Sequence, residues 1–257
     1  MLCPGSRSSA GTASASTPID VNAAAERGIT VCNVPDYGVE EVSDHAIALA
    51  LTVLRGISEL DRRMRTGHSD ISAVKPLHRI RGRVFGCVGL GRIGAATARK
   101  ALGLGFTVVA HDPVLTSADA LEGLSAVKLV SLDDLLAQAD VVSLHLPLTP
   151  QTRRLFNAER FGAMKSNAVL INTCRGGVVD TAALVQALND GLIRGAGLDV
   201  FEEEPLPKDH PLFDLPNVVV TPHAAWYSEE SFEELKRRTV MNAVDACLGR
   251  RPENVLV

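Results

Sequence analysis

The sequence has no apolar run long enough to span a membrane. It also has no excess of basic residues. The formal net charge is −4, so no basic surface is on offer to nucleic acid. An acidic substrate would have to be met by local positive charge. No two cysteines form a C-x-x-C pair; Cys3, Cys32, Cys87, Cys174 and Cys247 are scattered, several within apolar runs. Reduced, buried thiols in a cytoplasmic protein account for them most simply. No cluster of His, Cys and acidic residues has metal-ligand spacing. No G-x-S-x-G elbow presents a nucleophile, and no internal repeat is present. The remainder is ordinary for a globular protein: 257 residues, 46% hydrophobic and 22% charged. That length suits one large domain or two small ones with a substantial core.

The chain is organised around Arg83 to Asp112, RVFGCVGLGRIGAATARKALGLGFTVVAHD. Val84, Phe85, Cys87 and Val88 read as a strand buried on both faces. Gly89, Gly91 and Gly94 follow as G-x-G-x-x-G. The first glycine permits a tight turn, the second lets a pyrophosphate reach the backbone, and the third lets the next helix pack closely. That helix, beginning at Arg92 and Ile93, aims free N–H groups and a positive dipole end at phosphates. A second strand, Phe106 to His111, delivers Asp112 about 20 residues beyond the turn, where a carboxylate can accept both ribose hydroxyls. An acid there favours NAD, because it would repel the 2′-phosphate of NADP.

Residues 1–18 are rich in Ser, Ala and Gly, with no apolar core of a secretory leader and few arginines; they read as disordered. Asp20 caps a short predicted helix that Gly28 ends, and Ile29 to Val34 read as a strand. Gly38 to Arg65 carries one long helical pattern. It suits a core helix as well as a bridging or dimer-contact helix. Thr66 to Arg81 is polar and irregular. Beyond Asp112, a helix opens at Ser131, a strand runs from Asp140 towards Pro147, and Asn157 starts another helix. Further strands are predicted at Ala168–Asn172, Ala196–Val200 and Val218–Thr221. A helix is predicted over Asp180–Asp190 and a last amphipathic one over Glu229–Leu248. Alternating strands and helices predict an α/β fold with a parallel, doubly wound sheet of the Rossmann kind, with reacting groups at the carboxyl ends of the strands.

Arg175, Glu204 and His223 fall just beyond three predicted strand ends. A guanidinium binds a carboxylate through two parallel bonds and polarises a neighbouring carbonyl. An imidazole exchanges protons near neutral pH, and Glu204 can fix its tautomer. Such a trio suits hydride transfer from a dinucleotide to a ketone. Each residue also has an ordinary reading. Arg175 suits a surface ion pair, Glu204 a solvated acidic loop, and His223 a strand cap. Periodicity does not choose between them. The remaining histidines read as structural, although His145 ends a strand at the cofactor edge.

Several motifs carry a resemblance: VPDYGVEEVSDHAIAL (residues 34–49), GLGRIG (89–94), HLPLTPQT (145–152), NTCRGGVVD (172–180), GLDVFEEEP (197–205) and TPHAAWYS (221–228). With them the chain resembles the D-isomer-specific 2-hydroxyacid dehydrogenases, and within these the C-terminal-binding-protein-like branch. The resemblance runs from about Ile19 to the C-terminus. It implies reduction of a small 2-oxo acid to a D-2-hydroxy acid with NAD(H), and catalytic roles for Arg175, Glu204 and His223. It implies cofactor contacts at Arg92, Ile93, Asp112, His145, Pro147, Thr152, Thr173, Cys174 and Asp199, and a substrate-pocket wall at Trp226. A homodimer formed through the nucleotide domain is implied; neither nucleic acid nor membrane is a partner. The branch also contains dinucleotide-binding corepressors, which gives an interaction protein as the alternative function. The domains expected are an atypical segment 1–18, a remnant of a flavodoxin-like substrate domain at 19–37 to which 240–257 returns, and an NAD-binding Rossmann domain at 38–228. The family's carboxylate-binding glycine loop belongs just before Ile19, where Ser-Ala-Ser-Thr-Pro stands. The expectation is therefore a truncated substrate domain and impaired turnover, with an inert remnant as the limiting case. Cys174 departs from the family's usual Ala or Ser.

Overall fold

A computed structural model describes residues 19–119 and 121–257. The expectation for residues 1–18 lies outside the described residues. The chain divides into two compact units, one holding 19–38 with 226–257, the other 39–225.

In the smaller unit, Asp20 accepts the Ala23 amide and caps α1 (Val21–Glu26), which ends before Gly28 at φ 63°. The strand expected over Ile29–Val34 does not form as a named strand. Val31 and Asn33 instead exchange single backbone bonds with the chain's last residues, and Cys32 makes an isolated antiparallel bridge to Val255. A strand needs a continuous neighbour to satisfy its N–H and C=O groups, and only a four-residue stretch of tail is alongside.

The larger unit opens with α2 (Val39–Arg55) and α3 (Ile57–Arg65), not one helix. Gly56 breaks the run at φ 63°, and a Cβ there would sit 2.6 Å from Val74 Cγ1. The break separates two characters. α2 buries Val42, Ala46, Leu49, Ala50 and Val53, whereas α3 buries no residue.

Next come β1 (Val84–Val88), α4 (Arg92–Gly103), β2 (Thr107–His111), a two-residue β3 (Lys128–Leu129), α5 (Leu132–Gln138) and β4 (Val141–Leu144). They are followed by α6 (Ala158–Ala163), β5 (Val169–Asn172), α7 (Thr181–Asn189), β6 (Gly195–Leu198) and β7 (Val218–Val220). The seven strands form one sheet in the order β3-β2-β1-β4-β5-β6-β7, parallel throughout. Side chains alternate between two cores. Val141, Val169 and Ile171 face a cluster with α2 and α4, while Val142, Leu144 and Leu170 face one with α5 and α7. Gly195 and Gly197 let α2 lie close on β6: a Cβ on either would come within 2.9 Å of Val53 or Leu49. The chain order reverses between β1 and β4, the position where open parallel sheets bind ligands beyond their carboxyl ends.

The last helix, α8 (Glu229–Cys247), returns to the smaller unit. Ser228 and Ser231 cap it reciprocally, and Asn242 Oδ1 accepts the Glu253 amide. Cys87 is a buried thiol, and Cys32 and Cys174 are half-buried thiols. Cys247 is exposed and is not among the free thiols, so the expectation of reduced, buried cysteines fails there. No helix of the described residues is long and apolar enough to cross a membrane, and none of their side chains group as metal ligands.

Candidate active site

The glycine turn after β1 is shaped by contact. Gly89 stands at φ 93°, and a Cβ there would lie 2.5 Å from the His145 carbonyl oxygen. A Cβ on Gly94 would lie 2.2 Å from the Gly89 carbonyl oxygen. Gly91 is different. Among the described residues, nothing beyond its chain neighbours and its own helix's backbone lies within 4 Å of its Cβ position. Its glycine requirement is therefore not internal, and open space over a helix N-terminus is what a pyrophosphate needs. Arg92, exposed, and Ile93, half-buried, open α4 behind it.

Asp112 accepts the Leu90 amide at 2.9 Å on one oxygen and the Val114 amide at 2.9 Å on the other. It ties the glycine turn to the end of β2 and keeps lone pairs for further donors. After β4, His145 bonds Ser143 Oγ through Nε2 at 3.0 Å, while its Nδ1 is buried without a partner. Burial pushes this imidazole down to about 4, so it is neutral. Thr152 Oγ1 donates to the Pro147 carbonyl at 2.6 Å and shapes the following loop. At the end of β5, Thr173 Oγ1 is also buried and unpartnered. Two orphaned polar atoms beside an open glycine cradle fit a bound dinucleotide, because such atoms cost free energy unless something meets them.

Asn172 organises the loop that carries Arg175. Its Oδ1 accepts the Cys174 amide and thiol, and its Nδ2 donates to the Arg175 carbonyl at 3.1 Å. Burial pushes the Cys174 thiol up, which makes it a poor nucleophile. Arg175 is exposed, with Nη1 on the Cys174 carbonyl at 2.6 Å. No carboxylate pairs with it among the described residues, which leaves the surface ion-pair reading without support. The glycines beside it do not serve a left-handed turn. Gly176 is needed for close approach, since its Cβ would fall 1.8 Å from the Phe201 carbonyl oxygen. That contact presses the Arg175 loop against the loop that carries Glu204.

His223 Nδ1 meets Glu204 Oε2 at 2.7 Å. A carboxylate only accepts, so Nδ1 carries the hydrogen and Nε2 is left to exchange a proton. Glu204 is itself aimed by the Phe201 amide, which donates to Oε1 at 2.9 Å. Both side chains are about three-tenths exposed. Beside them opens a pocket of about 320 Å³ walled by Phe201, Pro205, Leu206, Phe213, Val220 and Pro222. Asp199, 1% exposed, spends its carboxylate on Thr221 Oγ1 and on the Ala224 and Ala225 amides. Trp226 belongs to the smaller unit, where its ring packs edge-on against Tyr37, Tyr227 and Phe232.

Sequence reasoning passed over His45 and Thr221, which complete this cluster with a 2.9 Å bond between Nε2 and Oγ1. They are 176 residues apart, and no local pattern signals their meeting.

Comparison with known proteins agrees with the geometry. Residues 47–225 match the model of the D-isomer specific 2-hydroxyacid dehydrogenase NAD binding domain. The chain belongs to the D-isomer specific 2-hydroxyacid dehydrogenase family. This dehydrogenase is 42% identical over 242 residues to a glyoxylate reductase of Korarchaeum cryptofilum, covering 93% of this chain and 72% of the relative. It is 40% identical over 246 residues to a glycerate dehydrogenase of Methylorubrum extorquens, covering 93% and 74%. Its fold matches D-lactate dehydrogenase with NAD+ from Lactobacillus jensenii at a TM-score of 0.82 and 30% identity, over 93% and 75% of the two chains. The cofactor of this NAD-dependent dehydrogenase is therefore NAD.

Proposed function

We propose that this chain reduces a small 2-oxo acid to a D-2-hydroxy acid, with Arg175, Glu204 and His223 as its catalytic residues. One observation carries the reading: the 2.7 Å bond between His223 Nδ1 and Glu204 Oε2 beyond the carboxyl ends of the strands. It leaves His223 Nε2 as an oriented proton donor. NADH, when bound, supplies the hydride. The Gly91 cradle and the first-turn amides of α4 hold the pyrophosphate, Asp112 takes the ribose, and His145 and Thr173 offer their unpartnered atoms to the rest of the dinucleotide. Pro147, Thr152 and Cys174 shape the loops around it. Asp199 serves through the 221–225 loop. Arg175, with no carboxylate of the described residues to neutralise it, binds the substrate carboxylate and polarises the adjacent carbonyl. Protonated His223 gives the carbonyl oxygen its proton, and Glu204 stabilises the charged imidazole before transfer.

The Ala-Ala-Trp run after His223 supports the C-terminal-binding-protein-like branch. Residues 19–37 with the tail we read as part of a substrate domain, and the 257-residue polypeptide tested alone is expected to turn over weakly. Substrate orientation is worth several kcal/mol of barrier, and the carboxylate-binding glycine loop is not in this sequence. The test is NADH oxidation by that polypeptide with glyoxylate and hydroxypyruvate. Slow but measurable oxidation supports the reading; full dehydrogenase-like turnover refutes the impairment, and none with either acid refutes the activity. The exposed apolar side chains Ile57 and Met64 on α3 suit a second copy, and a cytoplasmic homodimer is the assembly proposed.

A further inference from the structure

We propose that His45, on α2, is a positioning residue for the loop that presents His223. His223 stands at φ 54°, a left-handed conformation that side-chain-bearing residues rarely adopt. Such a residue persists only where its surroundings hold it. The Glu204 carboxylate holds the His223 ring, and one buried residue, Asp199, holds the backbone on either side of it through its carboxylate and its own carbonyl. The His223 amide donates to the Asp199 carbonyl at 2.9 Å, and the Ala224 and Ala225 amides each donate to the Asp199 carboxylate at 2.9 Å. Thr221 Oγ1 donates to the same carboxylate at 2.5 Å.

A threonine hydroxyl has one hydrogen, and Thr221 has spent it on Asp199. Towards His45 Nε2, 2.9 Å away, it can only accept. His45 Nε2 therefore carries a hydrogen, and the bonds run in one direction: imidazole N–H to hydroxyl, hydroxyl to carboxylate. The same nitrogen stands 3.6 Å from Asp199 Oδ1, so its N–H also faces a carboxylate shut away from water. His45 is thus the outer end of a chain of bonds that begins on α2 and ends on the amides flanking the proposed proton donor. It touches neither the Glu204–His223 pair nor the pocket beside it. Its effect passes through the loop. Without its N–H, Thr221 Oγ1 and Asp199 lose the donor that fixes them, and the strained turn at His223 loses part of its support.

Amide hydrogen exchange by NMR tests this on the 257-residue chain. In His45→Phe and in the near-isosteric Thr221→Val, the amides of His223, Ala224 and Ala225 should exchange about tenfold faster or more, because local opening becomes easier. The amides of Leu144 and Ile171 in the sheet centre should keep their parental rates. His45→Gln, which can offer an N–H at similar reach, should stay within about threefold of the parent. Unchanged loop exchange in both disruptive variants overturns the proposal. So does equal acceleration of the sheet amides, which marks a merely structural role, or a glutamine variant as fast as the phenylalanine one. The consequence for catalysis rests on His223 as proton donor, but exchange reads the loop alone. The positioning role and the enzymatic reading can therefore fail separately.

Discussion

At the scale of single residues, the glycines of the 89–94 turn separate fold from function. Gly89 and Gly94 are required by the protein's own atoms, whereas Gly91 faces open space. Gly91→Val should therefore melt close to the parent yet bind NADH at least about tenfold more weakly, a loss of about 1.4 kcal/mol. Fluorescence titration and a melting curve on the same sample check both halves. Parental affinity would mean that the turn cradles nothing. His145 gives a prediction in pH. Its folded imidazole titrates at about 4 because burial disfavours the charged form, against an ordinary value of 6.5. Between those values the unfolded chain takes up a proton that the folded chain refuses, so stability falls as pH drops from about 6.5 to about 4. Melting temperature should show that decline in the parent, with a shallower slope in His145→Gln. Equal slopes would mean that this imidazole is not held neutral.

At the scale of elements, legibility followed the range of the interaction. The turn after β1, the Asp20 and Asn157 caps and the short apolar strands could all be read, because each answers a requirement set within a few residues. The break between α2 and α3 could not. The pattern from Gly38 to Arg65 is helical throughout, and Gly56 is tolerated in a helix; the left-handed turn there is kept a glycine by Val74, which occupies the space a Cβ would need. Gly56→Ala should accordingly cost about 1–2 kcal/mol from the left-handed backbone alone, read as a lower denaturant midpoint. An unchanged midpoint would show the break to be incidental. Gly176 teaches the same lesson. Its requirement comes from the Phe201 carbonyl, far along the chain, and no local pattern announces it. The Asp199–Thr221–His45 chain was hidden for this reason too, since its members share no element.

At the scale of the whole molecule, the parallel seven-stranded sheet brings the glycine cradle, the Arg175 loop and the Glu204–His223 pair to the carboxyl ends of its strands. The pairing of Glu204 with His223 could be anticipated from their places after two predicted strands; the distance could not. α3, with Ile57 and Met64 exposed, is where a second copy should pack. Sedimentation velocity should find a dimer that Met64→Glu weakens, and a monomer in the parent would reject that interface. The central claim is that His223, oriented by Glu204, protonates an oxo acid as NADH is consumed. Its most direct test is the single-turnover loss of NADH absorbance with glyoxylate, compared between the parent and His223→Gln at matched NADH occupancy. The account predicts oxidation in the parent and a rate at least about 100-fold lower in the variant. Equal rates in the two would contradict it.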